Sequence, residues 1–183
     1  MIKSRFIIPL IAFVALAGLL YTALIRSPDK HYIASVLIGK PAPQFKLPSL
    51  TDPAASVSSQ ALAGKPYVVN VWGSWCYACR EEHQSLLAIK QLGQVPIIGI
   101  NWRDENAAAL GWLSELGNPY SQVAVDKSGK VVIDFGVYGA PETFLVDGKG
   151  IIVHKHVGPL SMAIWKRDFE PKLNGAVAGQ GPT

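Results

Sequence analysis

The chain has 183 residues, 49% of them hydrophobic and 16% charged. That balance is too apolar and too weakly charged for disorder, and the length suits one ordinary domain plus an added segment. Of 17 Lys and Arg against 13 Asp and Glu, Lys3, Arg5 and Arg26 lie in a stretch without acids, so the rest of the chain is nearly neutral and offers no basic surface for nucleic acid. Two cysteines exclude a disulfide-stapled miniprotein.

Residues 6–25 form an uncharged apolar run. As a helix it would span roughly 30 Å, about one bilayer hydrocarbon core, and predicts a single transmembrane helix. Lys3 and Arg5 precede it, which assigns that end to the cytoplasm and the body to the far side. A cleaved signal peptide is the competing reading, because Ala15-Leu16-Ala17 is a small-x-small site. The run continues to Ile25, longer than a signal core, and this favours an uncleaved anchor. Both readings export the body, in a bacterium to the periplasm, where thiols become oxidised. Residues 26–40, with Pro28, Asp29 and Lys30 near their start, read as a linker.

Residues 41–173 read as one domain. Pro41, Pro43 and Pro48 punctuate a short apolar stretch, and residues 52–60 read as a hairpin or loop. Residues 67–72 are a nearly continuous β-former run, expected of a strand covered on both faces. Residues 77–92 lack Pro and Gly, place Glu82, Leu86 and Ile89 on one stripe, and predict a helix stopped by Gly93. A second strand over 95–101 and a second helix over 105–116 follow, the helix stopped by Gly117-Asn118-Pro119. Residues 122–125 are a short strand, and residues 130–135 fit strand or helix. Asp147-Gly148-Lys149-Gly150 joins two strands, 143–146 and 151–157, as a hairpin. A last helix over 161–173 has Ser161 as its cap, and residues 174–183 read as a flexible tail. Crossover connections make the early strands parallel and the late hairpin adds antiparallel ones, so the expected fold is α/β, a mixed sheet flanked by helices.

Chemistry concentrates at Cys76-Tyr77-Ala78-Cys79. Cys76 falls at the start of a helix, where unpaired N–H groups and the helix dipole favour a thiolate. Cys79 follows one turn later on the same side. This suits dithiol exchange: Cys76 attacks a substrate disulfide and Cys79 resolves the mixed disulfide. Three other readings compete. A structural disulfide gains little from so short a loop. Zinc would need Cys76, Cys79 and His83 to be joined by the remote His154 or His156. Covalent haem would need His where Arg80 stands. No metal or cofactor is expected.

The run Val69-Asn70-Val71-Trp72-Gly73-Ser74-Trp75-Cys76-Tyr77-Ala78-Cys79-Arg80-Glu81-Glu82-His83 resembles the active-site segment of the thioredoxin superfamily, in particular its membrane-anchored, TlpA-like branch. Residues 136–144, Gly-Val-Tyr-Gly-Ala-Pro-Glu-Thr-Phe, together with residues 99–104 and 117–120, resemble the cytochrome c biogenesis reductases of the DsbE (CcmG) family. The resemblance covers residues 38–173. It implies a thioredoxin-like fold and a periplasm-facing reductase of the haem-attachment cysteines of apocytochrome c. It also implies a membrane thiol electron donor of the DsbD/CcdA kind, and leaves open docking of other cytochrome c maturation factors on residues 105–120. By the same resemblance Pro141 is a cis-proline facing the dithiol, and the backbone of Ala140 pairs with an extended substrate; from the residues alone Pro141 also fits a trans proline opening an edge strand. Trp75 and Tyr77, on either side of Cys76, are candidate substrate contacts, and Tyr77 bears on the reduction potential or the fit of substrate.

The chain departs from common patterns of the superfamily at Tyr77-Ala78, where proline is frequent, and at Asn70, where thioredoxin carries a buried aspartate. Asn70 cannot accept a proton, so Glu82 becomes the candidate. Semi-buried, its carboxyl would have a raised pKa and relay the proton of the resolving thiol; the alternative is an ordinary first-turn acid. Glu142 fits either an acidic rim or a solvated loop, and His83 fits a surface or capping position. Trp72 and Trp75 read as packing residues, with Trp75 shielding Cys76; Trp112, Met162 and Trp165 read as core. Two further functions stand beside the reductase: a general periplasmic oxidant or isomerase, and a tethered binding module with incidental cysteines.

Overall fold

The computed structural model describes residues 4–25 and 37–178. The expected linker falls mostly outside the described residues, as do positions 179–183 of the expected tail. The chain divides into two units, residues 1–33 and 34–183. The first holds helix α1, Ser4–Ile25, whose described side chains, residues 7–23, are all exposed. Pro9 sits in its early turns, where a missing N–H costs little. Among the described residues no helix is long and apolar enough to cross a membrane.

The second unit is built on a five-stranded sheet of order β5-β4-β3-β6-β7. The central strand β3 (Tyr67–Trp72) is buried along its whole length. It pairs in parallel with β4 (Ile97–Trp102) and antiparallel with β6 (Glu142–Val146). β5 (Gln122–Asp126) extends the parallel half, and β7 (Ile152–Val157) extends the antiparallel half through the expected hairpin. Helix α2 (Tyr77–Leu92) follows β3 and ends on Gly93 at φ 65°, a left-handed cap that glycine adopts freely. Helix α3 (Asn106–Leu116) links β4 to β5.

Two apolar layers cover the sheet. Val68, Trp72, Leu86, Ile89, Trp112 and Leu145 belong to one, and Val69, Val71, Ile98, Ile100, Phe135 and Phe144 to the other. The strand period of two thus gives each layer alternate β3 residues, and Asn70 is the polar member of the row Val68, Asn70, Trp72. Tyr120 stacks on Trp72 with centroids 5.4 Å apart. This close stack requires Gly99 on the adjacent strand, where a Cβ would lie 2.8 Å from Trp72 Nε1 and 2.9 Å from Tyr120 Cγ.

Three segments were underdetermined in the sequence. The polar stretch after Pro48 contains a hairpin between β1 (Lys46–Pro48) and β2 (Ser56–Ser58), then a 3-10 turn, Ser59–Leu62. The ambiguous run after Gly129 is helix α4 (Lys130–Asp134). Its β-branched residues are overruled by Asp126, whose carboxylate accepts from Gly129 N at 2.9 Å and Val132 N at 3.0 Å. The last helical segment is α5 (Met162–Ile164), a π turn (Trp165–Phe169) and α6 (Glu170–Ala178). Ser161 caps it, accepting from Ile164 N at 3.2 Å. The helix runs on past its expected close near Leu173, as far as Ala178.

Candidate active site

Cys76 is the N-cap of α2, and its sulfur is bonded to that of Cys79, with Cα atoms 5.3 Å apart. Cys79 N–H also points at Cys76 Sγ, 3.1 Å away. In the reduced protein the same N–H, with the positive end of the helix dipole, would favour a thiolate on Cys76. Both cysteines are nearly buried, while their neighbours Trp75 and Tyr77 are 54% and 78% exposed. The dithiol therefore lies just beneath an aromatic surface.

The loop carrying Cys76 is clamped. Asp104 Oδ2 accepts from Ser74 N at 2.6 Å and its Oδ1 from Ser74 Oγ at 2.7 Å. Asn101 Nδ2 and Glu105 N donate to the same carboxylate, and Lys127 Nζ donates to Asp104 O. Burial alone would push the Asp104 carboxyl up, but the donors from Ser74, Asn101 and Glu105 together hold it below its ordinary range. Trp75 is less enclosed than expected. Its Nε1 donates to Trp102 O at 3.1 Å and its ring meets Trp102 edge-on. Gly73 makes room for that fold-back, since a Cβ there would sit 2.5 Å from Trp75 Nε1.

Behind the dithiol, Glu82 is buried, 1% exposed, on one stripe with Leu86 and Ile89 as the spacing predicts. No cation pairs with it among the described residues. Its Oε1 accepts from Asn70 Nδ2 at 2.8 Å and its Oε2 from Leu160 N at 2.7 Å. Burial pushes its carboxyl up to about 7, against the opposing pull of those two hydrogen bonds. Glu82 is thus not an ordinary solvated first-turn acid; it is poised to change charge near neutral pH.

Two expectations are corrected. Glu142 is neither a rim acid nor a solvated loop acid. It is wholly buried on β6 and pairs with Lys155 Nζ at 2.7 Å, the lysine side chain being only 6% exposed. The register Phe144↔Lys155 and the β7 hairpin bring them together. Burial raises the Glu142 pKa, and the hydrogen bond and charge of Lys155 counteract it. His83 is also buried, facing α3: Trp112 Nε1 donates to its Nδ1 at 3.2 Å, so its Nε2–H donates to Gly117 O at 2.9 Å. Burial lowers its pKa and keeps the ring neutral. Trp72, Trp112 and Trp165 are buried and Met162 packs against the same cluster, as expected.

The Ala140-Pro141 peptide bond is cis, the isomer that the resemblance implied. Ala140 packs against the cluster containing both cysteines. Sequence reasoning missed Tyr120 and Thr143, which bind Asn70 from either side: Tyr120 OH donates to Asn70 Oδ1 at 2.8 Å, and Asn70 Nδ2 donates to Thr143 Oγ1 at 3.0 Å. The polar position inside an apolar strand was the signal that such partners exist, because a buried carboxamide requires them.

Comparison with known proteins accords with this geometry. The family model described as Redoxin matches residues 37–170. The thiol:disulfide interchange protein DsbE of Allochromatium vinosum is 47% identical over 168 residues, covering 92% of each chain. DsbE of Pseudomonas aeruginosa is 46% identical over 169 residues, again 92% of each. That of Escherichia coli is 43% identical over 173 residues, 92% of this chain and 93% of the relative. Among solved structures, a thioredoxin-family thiol:disulfide interchange protein from Chlorobium tepidum superposes with a TM-score of 0.62 at 25% identity, covering 75% of this chain and 95% of that one. A secreted thiol-disulfide isomerase from Corynebacterium glutamicum gives 0.66 at 20% identity, covering 81% and 96%. Sharing close to half its residues with DsbE proteins along nearly its full length, the chain belongs to the redoxin family as a DsbE-type thiol:disulfide oxidoreductase.

Proposed function

We propose that this oxidoreductase is held by its N-terminal helix in the bacterial inner membrane, faces the periplasm, and reduces the haem-attachment cysteines of apocytochrome c. The observation that carries the reading is the Cys76–Cys79 pair at the head of α2, with Cys79 N–H aimed at the attacking sulfur. The apolar sequence of residues 6–25 supports the anchor, and the preceding Lys3 and Arg5 support the orientation. The relatives' shared name supports thiol exchange.

The reduced protein acts in two steps. Cys76 thiolate attacks one sulfur of the substrate disulfide; an S–S bond forms between Cys76 and substrate, and the other substrate sulfur leaves as thiolate. Cys79 then loses its proton to Glu82 and attacks Cys76 Sγ. The intramolecular disulfide forms, the second substrate sulfur leaves, and two electrons have passed to the substrate. Trp75, Tyr77 and the Ala140-Pro141 backbone bind the extended substrate during the first step. A membrane thiol donor of the DsbD/CcdA kind restores the dithiol, and other maturation factors dock nearby.

The test is reduction of a disulfide-closed Cys-x-x-Cys-His peptide by the full chain and by its Cys76→Ser variant. The variant is expected to lose all activity; retention of wild-type rates would overturn the reading. A reduction potential near about −120 mV, that of a strong oxidant, would contradict the reducing direction and favour a general oxidant.

A further inference from the structure

The residues around Glu82 form a closed polar network, Tyr120–Asn70–Glu82 with Thr143 as a branch, in which every member is at most 4% exposed. With Glu82 ionised, Asn70 Nδ2 donates to Glu82 and to Thr143, and Asn70 Oδ1 accepts from Tyr120. Protonation of Glu82 Oε1 would set O–H against N–H at 2.8 Å, two donors facing each other, inside a region where an unmade hydrogen bond is costly. Both outer partners, however, are hydroxyls, and a hydroxyl can donate or accept by rotating its hydrogen.

We propose that Asn70, held between Tyr120 and Thr143, is a positioning residue that inverts its carboxamide when Glu82 takes up a proton, so that the new carboxyl O–H meets an acceptor rather than an opposing N–H. After inversion Glu82 O–H donates to Asn70 Oδ1, Thr143 O–H donates to the same oxygen, and Asn70 Nδ2 donates to Tyr120 Oη. Three contacts exist before and three after, and Leu160 N–H donates to Oε2 in both states. The inference rests on the reading of Glu82 as the acceptor of the Cys79 proton. In that step the S–H bond of Cys79 breaks, a carboxyl O–H bond forms, and no electrons move.

The other titratable groups nearby are accounted for. Arg80, on the same helix, lies over Trp112 and reaches toward Glu115, while Glu81 is exposed. His83 turns onto Trp112 and Gly117. Glu142 on β6 pairs with Lys155, which lies over Phe144 in the opposite layer. His156, beside Thr143 on β7, directs Nε2 to Pro159 O. His154, two residues before His156 on β7, packs edge-on against Phe169. Among the described residues Cys79 and Tyr120 remain as the titratable neighbours of Glu82.

The experiment uses the full chain in detergent micelles, with 15N in asparagine side chains and 13C in glutamate carboxyls, followed by NMR between pH 5 and 9. The Asn70 NH₂ signals are expected to move with the same midpoint as the Glu82 carboxyl. In Glu82→Gln, whose amide mimics the protonated acid, they should stay at the low-pH position at every pH. Tyr120→Phe removes the donor that polarises Asn70 toward the carboxylate, and should raise the Glu82 midpoint by about half a pH unit. Asn70 signals that stay fixed while Glu82 titrates would overturn the proposal, and the wild-type protein alone decides this if a variant fails to fold. Should Asn70 and Glu82 titrate together while Glu82→Gln resolves mixed disulfides at wild-type rates, the inversion stands and the catalytic reading of Glu82 falls.

Discussion

Two buried glutamates lie on opposite sides of the central sheet and meet opposite conditions. Glu82, on the α2 side, has hydrogen-bond donors but, among the described residues, no cation. Glu142, on the other side, has Lys155 at 2.7 Å. Burial raises both carboxyls. The difference is what opposes it: neutral N–H groups leave Glu82 at about 7, whereas a full positive charge holds Glu142 as one half of an ion pair. In the proposed mechanism Glu82 exchanges a proton, whereas Glu142 is held in an ion pair with Lys155, and only Glu82 lies one helical turn from Cys79.

The comparison breaks most severely if the cation is removed. Lys155→Met leaves an uncompensated charge beside cis-Pro141, and is expected to cost about 3–5 kcal/mol in denaturant unfolding. A loss below about 1 kcal/mol would show that Glu142 does not depend on its partner. The matching change on the other side sharpens the contrast through pH. The Glu82 carboxyl is raised in the fold, so the folded chain binds its proton more tightly than the unfolded chain. Stability from this group is unaffected below the ordinary carboxylate range, falls as pH rises toward 7, and stays lower above it. With a folded value of about 7 against 4.5, the alkaline cost is about 3 kcal/mol. The stability of Glu82→Gln relative to wild type should therefore improve by about that amount between pH 4 and pH 8. The other titrating groups are common to both proteins and cancel in the difference. A pH-independent difference would place Glu82 in the ordinary range.

The sequence made half of this contrast legible. Three-residue spacing from Cys79, on a stripe with Leu86 and Ile89, made Glu82 a candidate for burial, because helical periodicity is local information. Glu142 was not legible, since its burial depends on a lysine 13 positions away that only the β6–β7 register brings beside it. His83 was misjudged for the same reason: its partners, Trp112 and Gly117, come from α3 and the turn after it. The mixture of parallel and antiparallel strands followed from crossover and hairpin signals; the order of strands across the sheet did not. Helix α4 did not, because a side chain four residues upstream of it, Asp126, decides a contest that propensity leaves open. The cis state of Pro141 was available only through family resemblance, as the bond type alone favours trans.

The central claim is that Cys79 hands its proton to Glu82 while resolving the mixed disulfide on Cys76. It is tested most directly by trapping that mixed disulfide with a chromophoric thiol and following its release by stopped flow from pH 5 to 9, in wild type and in Glu82→Gln. The account predicts a wild-type rate that rises with an inflection near pH 7, and a variant slowed about 100-fold at neutral pH with that inflection gone. Identical rates and identical profiles in the two proteins would contradict it.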